Sequence, residues 1–373
     1  MSSVIISGTG IYVPQDIISN DELVHSFNKY VENFNQKHIK AIANNSIAPL
    51  KGSNADFIYN VSGIKNRHVI DKHGILNHFK PILQKRPVEQ ISVQAEMAKK
   101  AAEIALKNAN KKNHEVDGII IACSNLQRPY PAIAIETQNA LGIKSAFAFD
   151  MNVACASASF GISVAYSYIK SNLAKCILVI TPEIYTAHVN FKDRRSHFIF
   201  GDACVATLVE TGNTIKSNNA FRIIGCNMQT CFSNNIRNNF GFLNRCNKQI
   251  YNADELLFSQ NGAKVRKDVV DFAANNILQN LNKLEINKKN IKRLWLHQAN
   301  IHINTNISIN VIGKENVNHL TMPCVLKEYG NTGAAGVIIA FDKHNNDLSK
   351  NDYGVISSFG AGYSATSIVV QKI

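Results

Sequence analysis

The sequence predicts a layered α/β fold, and three observations carry the prediction. Short, largely apolar runs without polar alternation recur along the chain, as expected of strands buried on both faces. Segments with apolar residues at helical spacing lie between them. The two halves also echo each other. Val116–Asn125 and Ile291–Asn300 each run an apolar strand into a polar, Asn-ended turn, and Phe200-Gly201-Asp202 and Phe359-Gly360-Ala361 each precede a strand. Buried strands alternating with helices imply sheets covered by helices. The echo suggests a duplicated βαβ unit, divided at the polar stretch Thr211–Asn219.

The elements follow in order. Val4–Gly8 is a strand that ends in a turn at Gly8-Thr9-Gly10. Met1–Ile11 opens without a basic segment, so it reads as a strand and not as a signal peptide, and a cytoplasmic location is expected. Val31–Ser53 is polar, irregular and rich in Asn and Lys, and reads as part of an inserted, partly helical cap spanning about residues 28–90. Ser92–Asn108 is a helix: Val93, Met97, Ala101, Ile104 and Ala105 share a face, and Ser92 is placed to cap it. Val116–Cys123, Ile177–Thr181 (closed by Pro182) and Ala203–Val209 are buried strands. Leu294–His297, Val355–Ser358 and Ser367–Val370 are their counterparts in the second half. The expected division is 1–211, carrying Cys155 and the cap, and 212–373, carrying His297 and Asn331.

The composition is that of an ordinary globular chain. Of 373 residues 45% are hydrophobic and 18% charged, which argues against disorder, collagen or a coiled coil. No apolar run approaches the roughly 18–20 residues that span a bilayer. The 40 Lys and Arg exceed the 27 Asp and Glu, for a net charge of +13. Either this serves solubility, or it forms a basic face for an acidic partner. The basic residues are spread along the chain without zinc spacing or an aromatic–basic sheet motif, so no nucleic-acid partner is expected. The eight cysteines form no C-x-x-C pair, which argues against a zinc ribbon or redox motif, and most should be small buried hydrophobes. No metal or other cofactor is expected.

Four segments could carry chemistry. Cys155 lies among small residues, with Phe160, Val164 and Tyr168 following at helical spacing, so it falls at the start of a buried helix. A helix N-terminus favours a thiolate, which suits a nucleophile, but a small core cysteine fits the local pattern as well. His297, in His297-Gln298-Ala299-Asn300, follows an apolar strand, where α/β sheets bind ligands. A lone His there also reads as a hydrogen-bonded core residue. Asn331, in Gly330-Asn331-Thr332-Gly333, reads as a turn before a tightly packed helix. Phe359-Gly360-Ala361-Gly362 is a loop whose backbone N–H groups could face a ligand.

Taken together, these segments resemble the β-ketoacyl-acyl-carrier-protein synthase III family of the thiolase-like superfamily. The resemblance covers nearly the whole chain, including Gly8-Thr9-Gly10, Ser62-Gly63-Ile64-Lys65-Asn66-Arg67, Ala148-Phe149-Asp150 and Phe200-Gly201-Asp202. It implies a five-layered αβαβα fold of two duplicated halves, a homodimer, and acyl carrier protein or acyl-CoA thioesters as partners. Cys155, His297 and Asn331 match the family's catalytic triad. Backbone N–H groups of Cys155 and Ala361 match its oxyanion hole. The implied reaction is a decarboxylative Claisen condensation with a malonyl thioester through an acyl-Cys155 intermediate, in fatty acid or related lipid or polyketide synthesis.

The sequence also departs from the family pattern. Phe57 and Val61 stand where acetyl-CoA-primed members have Trp and Arg, and His302 stands where the family has a carrier-docking Arg. Arg194 matches a CoA-contacting Arg, Asn300 closes the His297 motif at the substrate site, and Tyr130 aligns with a residue that dimers insert into the partner's acyl pocket. Asp56–Asp71 and Cys123–Ile135 resemble a branch that includes dialkylresorcinol-forming ketosynthases. A β-ketoacyl acceptor with cyclisation, or acyl transfer to a non-malonyl acceptor, is therefore the alternative. An inactive partner subunit is disfavoured because Cys155, His297 and Asn331 are all kept.

Overall fold

The computed structural model describes residues 3–249 and 252–373, so Met1 and Ser2 of the first run lie outside it. The first half runs β1 (Val4–Tyr12), β2 (Asp16–Ser19), α1 (Asn20–Lys37), α2 (Ile39–Ala43), α3 (Ala55–Ser62), β3 (Asn66–Val69) and α4 (Lys72–His78). It continues with α5 (Val93–Asn108), β4 (Gly118–Ala122), α6 (Ile133–Ala140), β5 (Phe147–Met151), α7 (Ser157–Lys170), β6 (Cys176–Ile184) and β7 (Asp202–Thr211). The second half holds β8 (Phe221–Ser233), β9 (Ile236–Arg237), β10 (Ser259–Gln260), α8 (Gly262–Lys283), β11 (Ile291–Leu296), α9 (Ile301–Ile312), α10 (Leu326–Tyr329), α11 (Ala335–Lys343), β12 (Tyr353–Gly360) and β13 (Gly362–Lys372).

Nine strands pair in the order β11-β12-β13-β8-β1-β7-β6-β4-β5. Among the described residues, the two halves of this ladder join only where Val4–Ile6 pairs with Phe221–Ile223. Each half behaves as a sheet of its own, and alternation along the strands shows why the apolar runs are continuous. In β6, Ile177 and Val179 face a central core while Cys176, Leu178 and Ile180 face an outer one. Ile120 and Ile119 of β4 divide the same way. In the other half, Trp295, Ile356 and Ile368 face the central core, and Leu294, Val355 and Val369 face a third. The central core is filled by α7 and α11, the outer two by α5 with α6 and by α8 with α9. The layers are therefore αβαβα, as the sequence implied. Side chains alternate across each strand, so a strand with a core on either side needs apolar residues at every position.

Two expectations at the strand ends are corrected. Gly8-Thr9-Gly10 is not a turn but the middle of β1, paired to Leu208, Thr207 and Ala206. The glycines are there because α5 crosses the strand closely: a Cβ on Gly8 or Gly10 would run into the backbone of Ala105 or Ala101. Pro182 does not close its strand either. β6 continues to Ile184, paired with β7, beyond the last pair with β4 at Ile121 and Ile180. Proline is tolerated where one side of a strand has no ladder partner. The helix over Ser92–Asn108 starts as expected, with the Ser92 hydroxyl accepting from Ala95 N–H. Residues 31–53 are helical through α1 and α2 and irregular thereafter. The entry into α1 is held by Arg67, which is fully buried and donates to Ile18 O, Asn20 Oδ1 and Phe198 O at 2.6–3.2 Å. Among the described residues, no helix is long and apolar enough to cross a membrane.

Candidate active site

Cys155 lies in a tight turn between β5 and α7, two residues before the helix begins. Ala154 has φ +47°, in the left-handed region that L residues rarely adopt. The turn is held by Asn152 Oδ1, which accepts from Ala154 N–H at 2.8 Å, and by the Ser157 hydroxyl. That hydroxyl accepts from Val153 N–H at 2.8 Å and donates to Ala154 O at 2.7 Å. Small residues follow because α7 presses on the sheet; a Cβ on Gly161 would stand 2.8 Å from Val179. At the end of β12, Gly360 lies against the same turn, and a Cβ there would come within 2.8 Å of Cys155 Cβ.

His297 follows β11 directly and is 2% exposed. Its N–H donates to Ser357 O at 2.8 Å, and its ring stands edge-on to Phe359 at 5.1 Å. Asn331 is held by its backbone on both sides: its N–H donates to Ile199 O, and its carbonyl accepts from Gly201 N–H. Its side-chain Oδ1 accepts from Gly333 N–H at 3.0 Å, which leaves the Nδ2 end for the cavity. Cys155, His297 and Asn331 line one cavity. Its walls are largely apolar, including Phe200, Phe258, Val265 and Phe359, while the exposed residues Arg195, Arg266 and His302 line its solvent end.

Burial sets the charge state of both titratable groups. It pushes His297 down to about 4, so the imidazole is neutral at pH 7 and can donate one hydrogen bond without carrying charge. It pushes the Cys155 thiol up to about 12, against a hydrogen bond from Tyr185 that works the other way. The thiolate expected at the helix start is thus not the resting form. A helix terminus contributes at most about 2 kcal/mol, and the desolvation of a buried sulfur exceeds it. Four of the eight cysteines are buried, whereas Cys231 and Cys246 are exposed.

Comparison with known proteins places this arrangement. Models of 3-oxoacyl-[acyl-carrier-protein] synthase III match residues 149–230, and of its C-terminal part residues 281–372. A β-ketodecanoyl-[acyl-carrier-protein] synthase of Pseudomonas aeruginosa is 46% identical over 351 residues, covering 94% of this chain and all of the relative. The chain belongs to the 3-oxoacyl-[acyl-carrier-protein] synthase III family. A β-ketoacyl-[acyl-carrier-protein] synthase III of Ehrlichia canis is 25% identical, over the full length of both chains. The crystal structure of 3-oxoacyl-[acyl-carrier-protein] synthase III from Aquifex aeolicus superposes with a TM-score of 0.75 at 22% identity, covering 99% of each chain, and supports the thiolase-like fold. The protein is a β-ketoacyl synthase III-type acyltransferase of fatty acid biosynthesis that condenses carrier-protein thioesters.

The remaining candidate residues of the synthase spread around this cavity. Asn300 lines it, caps α9 by accepting from His302 N–H, and donates to Val61 O at 2.7 Å. His302 also lines it and lies 2.9 Å from Asn60 O. Phe57 is half-exposed and lies off the cavity, with the Arg194 guanidinium 5.2 Å above its ring. Arg194 donates to Gly52 O at 2.7 Å, and Arg195 pairs with Asp193 at 3.0 Å. Tyr130 is 82% exposed and does not enter its own chain's cavity. Ala361 forms the turn after Gly360, which lies against the Cys155 turn. Sequence reasoning missed Tyr185, whose hydroxyl lies 3.2 Å from Cys155 Sγ. It also missed the purely structural reason for Gly333, where a Cβ would collide with the Tyr185 ring.

Proposed function

We propose that this synthase joins a medium-chain acyl group of eight carbons to the two-carbon unit of malonyl-acyl carrier protein, giving a β-ketodecanoyl product. The observation that carries this reading is the 46% identity to a relative named for that product, over its full length. A ten-carbon product of a two-carbon extension requires an eight-carbon starter. The apolar lining of the cavity supports an alkyl chain, and its basic solvent end supports the approach of an acidic carrier.

In this reading Cys155 Sγ attacks the acyl thioester, and its thiol proton ends on the departing pantetheine sulfur. The malonyl carboxylate then leaves as CO₂. His297 and the Asn331 Nδ2 end donate to the thioester oxygen on which enolate charge develops. The carbanion attacks the acyl-Cys155 carbonyl, whose oxyanion is held by backbone N–H groups of Cys155 and Ala361. Collapse expels the Cys155 thiolate, which takes a proton from solvent. Asn300 contacts the donor within the cavity, and Arg194 and Phe57 contact it outside the cavity wall. The protein works as a cytoplasmic homodimer in which Tyr130 closes the partner's acyl pocket, and 1–211 and 212–373 are two copies of one ancestral unit.

The test is a competition. Acyl donors of two to twelve carbons, each offered as CoA and as carrier-protein thioester, are mixed with malonyl-acyl carrier protein, and the products are weighed. β-Ketodecanoyl carrier protein should dominate. Preferred elongation of acetyl, or a cyclised product made without malonyl, would overturn the reading.

A further inference from the structure

Tyr185 belongs to no motif of the family pattern, yet it touches the sulfur. It follows directly on β6, is buried, and stacks flat on Phe200 with ring centroids 4.5 Å apart and planes 9° from parallel. A phenylalanine would satisfy that packing equally well. The hydroxyl is what needs explaining. It lies 3.2 Å from Cys155 Sγ, and its other polar neighbour is the Ser124 hydroxyl. Ser124 in turn lies 2.6 and 2.7 Å from the two carboxylate oxygens of Glu183, and Glu183 Oε1 also accepts from the backbone N–H groups of Ser124 and Ala334. Glu183 of β6, Ser124 in the loop after β4 and Tyr185 just past β6 thus build a polar line that ends on the reacting sulfur.

We propose that Tyr185 is a further catalytic residue, acting whenever charge sits on the sulfur: its hydroxyl donates a hydrogen bond to Cys155 Sγ as the thiolate forms during acyl loading, loses it once the sulfur is acylated, and regains it when condensation expels the thiolate. The proposal rests on reading Cys155 as the nucleophile. During loading the Sγ–acyl bond forms, the bond from the acyl carbon to the pantetheine sulfur breaks, and the Cys155 proton ends on that departing sulfur. Tyr185 keeps its own proton throughout. Burial, with Cys155 and Glu183 nearby, pushes its ionisation well above the ordinary value, so it is a donor and not a base. A donor to a thiolate is far stronger than a donor to a thioester sulfur. The interaction is therefore strongest when charge sits on the sulfur, the condition for accelerating the step and not merely tightening the resting state.

The groups facing the sulfur divide. The Tyr185 hydrogen bond favours the thiolate, the Glu183 charge opposes it, and His297 is neutral across the cavity. Asn331 is uncharged, and Arg195 and Arg266 stand in the solvent-exposed lining of the same cavity.

The test is Tyr185→Phe, which keeps the ring and removes the oxygen. Alkylation by iodoacetamide is followed on the Cys155 peptide by mass spectrometry across pH, because Cys231 and Cys246 are exposed and also react. The labelling profile should move to higher pH, with a rate near pH 8 lowered about tenfold, as expected for a lost hydrogen bond to a charged group. Octanoyl loading should fall by at least the same factor. Malonyl decarboxylation measured in a Cys155→Ala background should not change when Tyr185→Phe is added. Glu183→Gln should shift the labelling profile the other way. An unmoved profile in Tyr185→Phe overturns the proposal, as does an equal loss of decarboxylation in the Cys155→Ala background. Failure of the underlying reading is seen separately, as acyl loading that survives Cys155→Ala alone.

Discussion

Neutrality is what makes His297 and Asn331 useful as a pair. Burial holds the imidazole near a pKa of 4, and an amide does not titrate, so in the proposed mechanism both can donate to a developing enolate oxygen over the whole physiological range. His297→Ala or Asn331→Ala should lower malonyl decarboxylation on the order of 10²–10³, the cost of one charge-stabilising donor, and leave loading of Cys155 largely intact. The two half-reactions, assayed separately, decide this; equal losses would mean a structural role. The sign of the pH effect follows from the depressed pKa. His297 stays neutral as pH falls from 8 to 5 and gains a proton only near 4, so a decarboxylation profile bending between 6 and 7 would contradict a buried neutral imidazole. The sequence made these two residues legible because each sits in a short run whose order and context are specific. Tyr185 stayed hidden because an aromatic at the end of an apolar strand reads as core. Its contact with Cys155 joins segments 30 positions apart, and only packing brings them together.

At the scale of elements, period and capping were the reliable signals. The helix at Val93–Asn108 and its Ser92 cap follow from side-chain spacing alone. Glycine and proline mislead at Gly8, Gly10 and Pro182, since each reads as punctuation of the chain. Their reason lies across the layer, in how closely α5 crosses β1 and in where β6 outruns β4. This makes a stability prediction. Gly10→Ala places a methyl group against the Ala101 carbonyl of α5 and should destabilise the fold by about 1–3 kcal/mol, the usual cost of overpacking. Gly241→Ala, where an added Cβ meets nothing within 4 Å, should stay within about 0.5 kcal/mol. Denaturant melts of the two variants compare them directly; equal, small shifts would mean that α5 can retreat from β1.

For the whole molecule, the layered class was legible because a strand with a core on each face must be apolar throughout. The joint between halves was not, because the pairing of Val4–Ile6 with Phe221–Ile223 links positions more than 200 residues apart that carry no local mark. The polar stretch at Thr211–Asn219 proved to be the connection from β7 to β8, the strands that flank β1 on either side. Tyr130 carries the prediction at this scale. Tyr130 is 82% exposed on the loop before α6, where a second chain could cover it. Sedimentation should show a two-fold dimer at micromolar concentration, and Tyr130→Ala should alter the acyl-chain preference without changing alkylation of Cys155. A fully active monomer would refute the shared pocket. The central claim, an acyl-Cys155 intermediate carrying a medium chain, is tested most directly by intact-mass analysis of the protein mixed with octanoyl thioesters in the absence of malonyl carrier. One octanoyl increment on the wild-type chain, mapped to the Cys155 peptide and missing from Cys155→Ala, is the predicted result. An unmodified wild-type chain, or an increment that persists in Cys155→Ala, would contradict it.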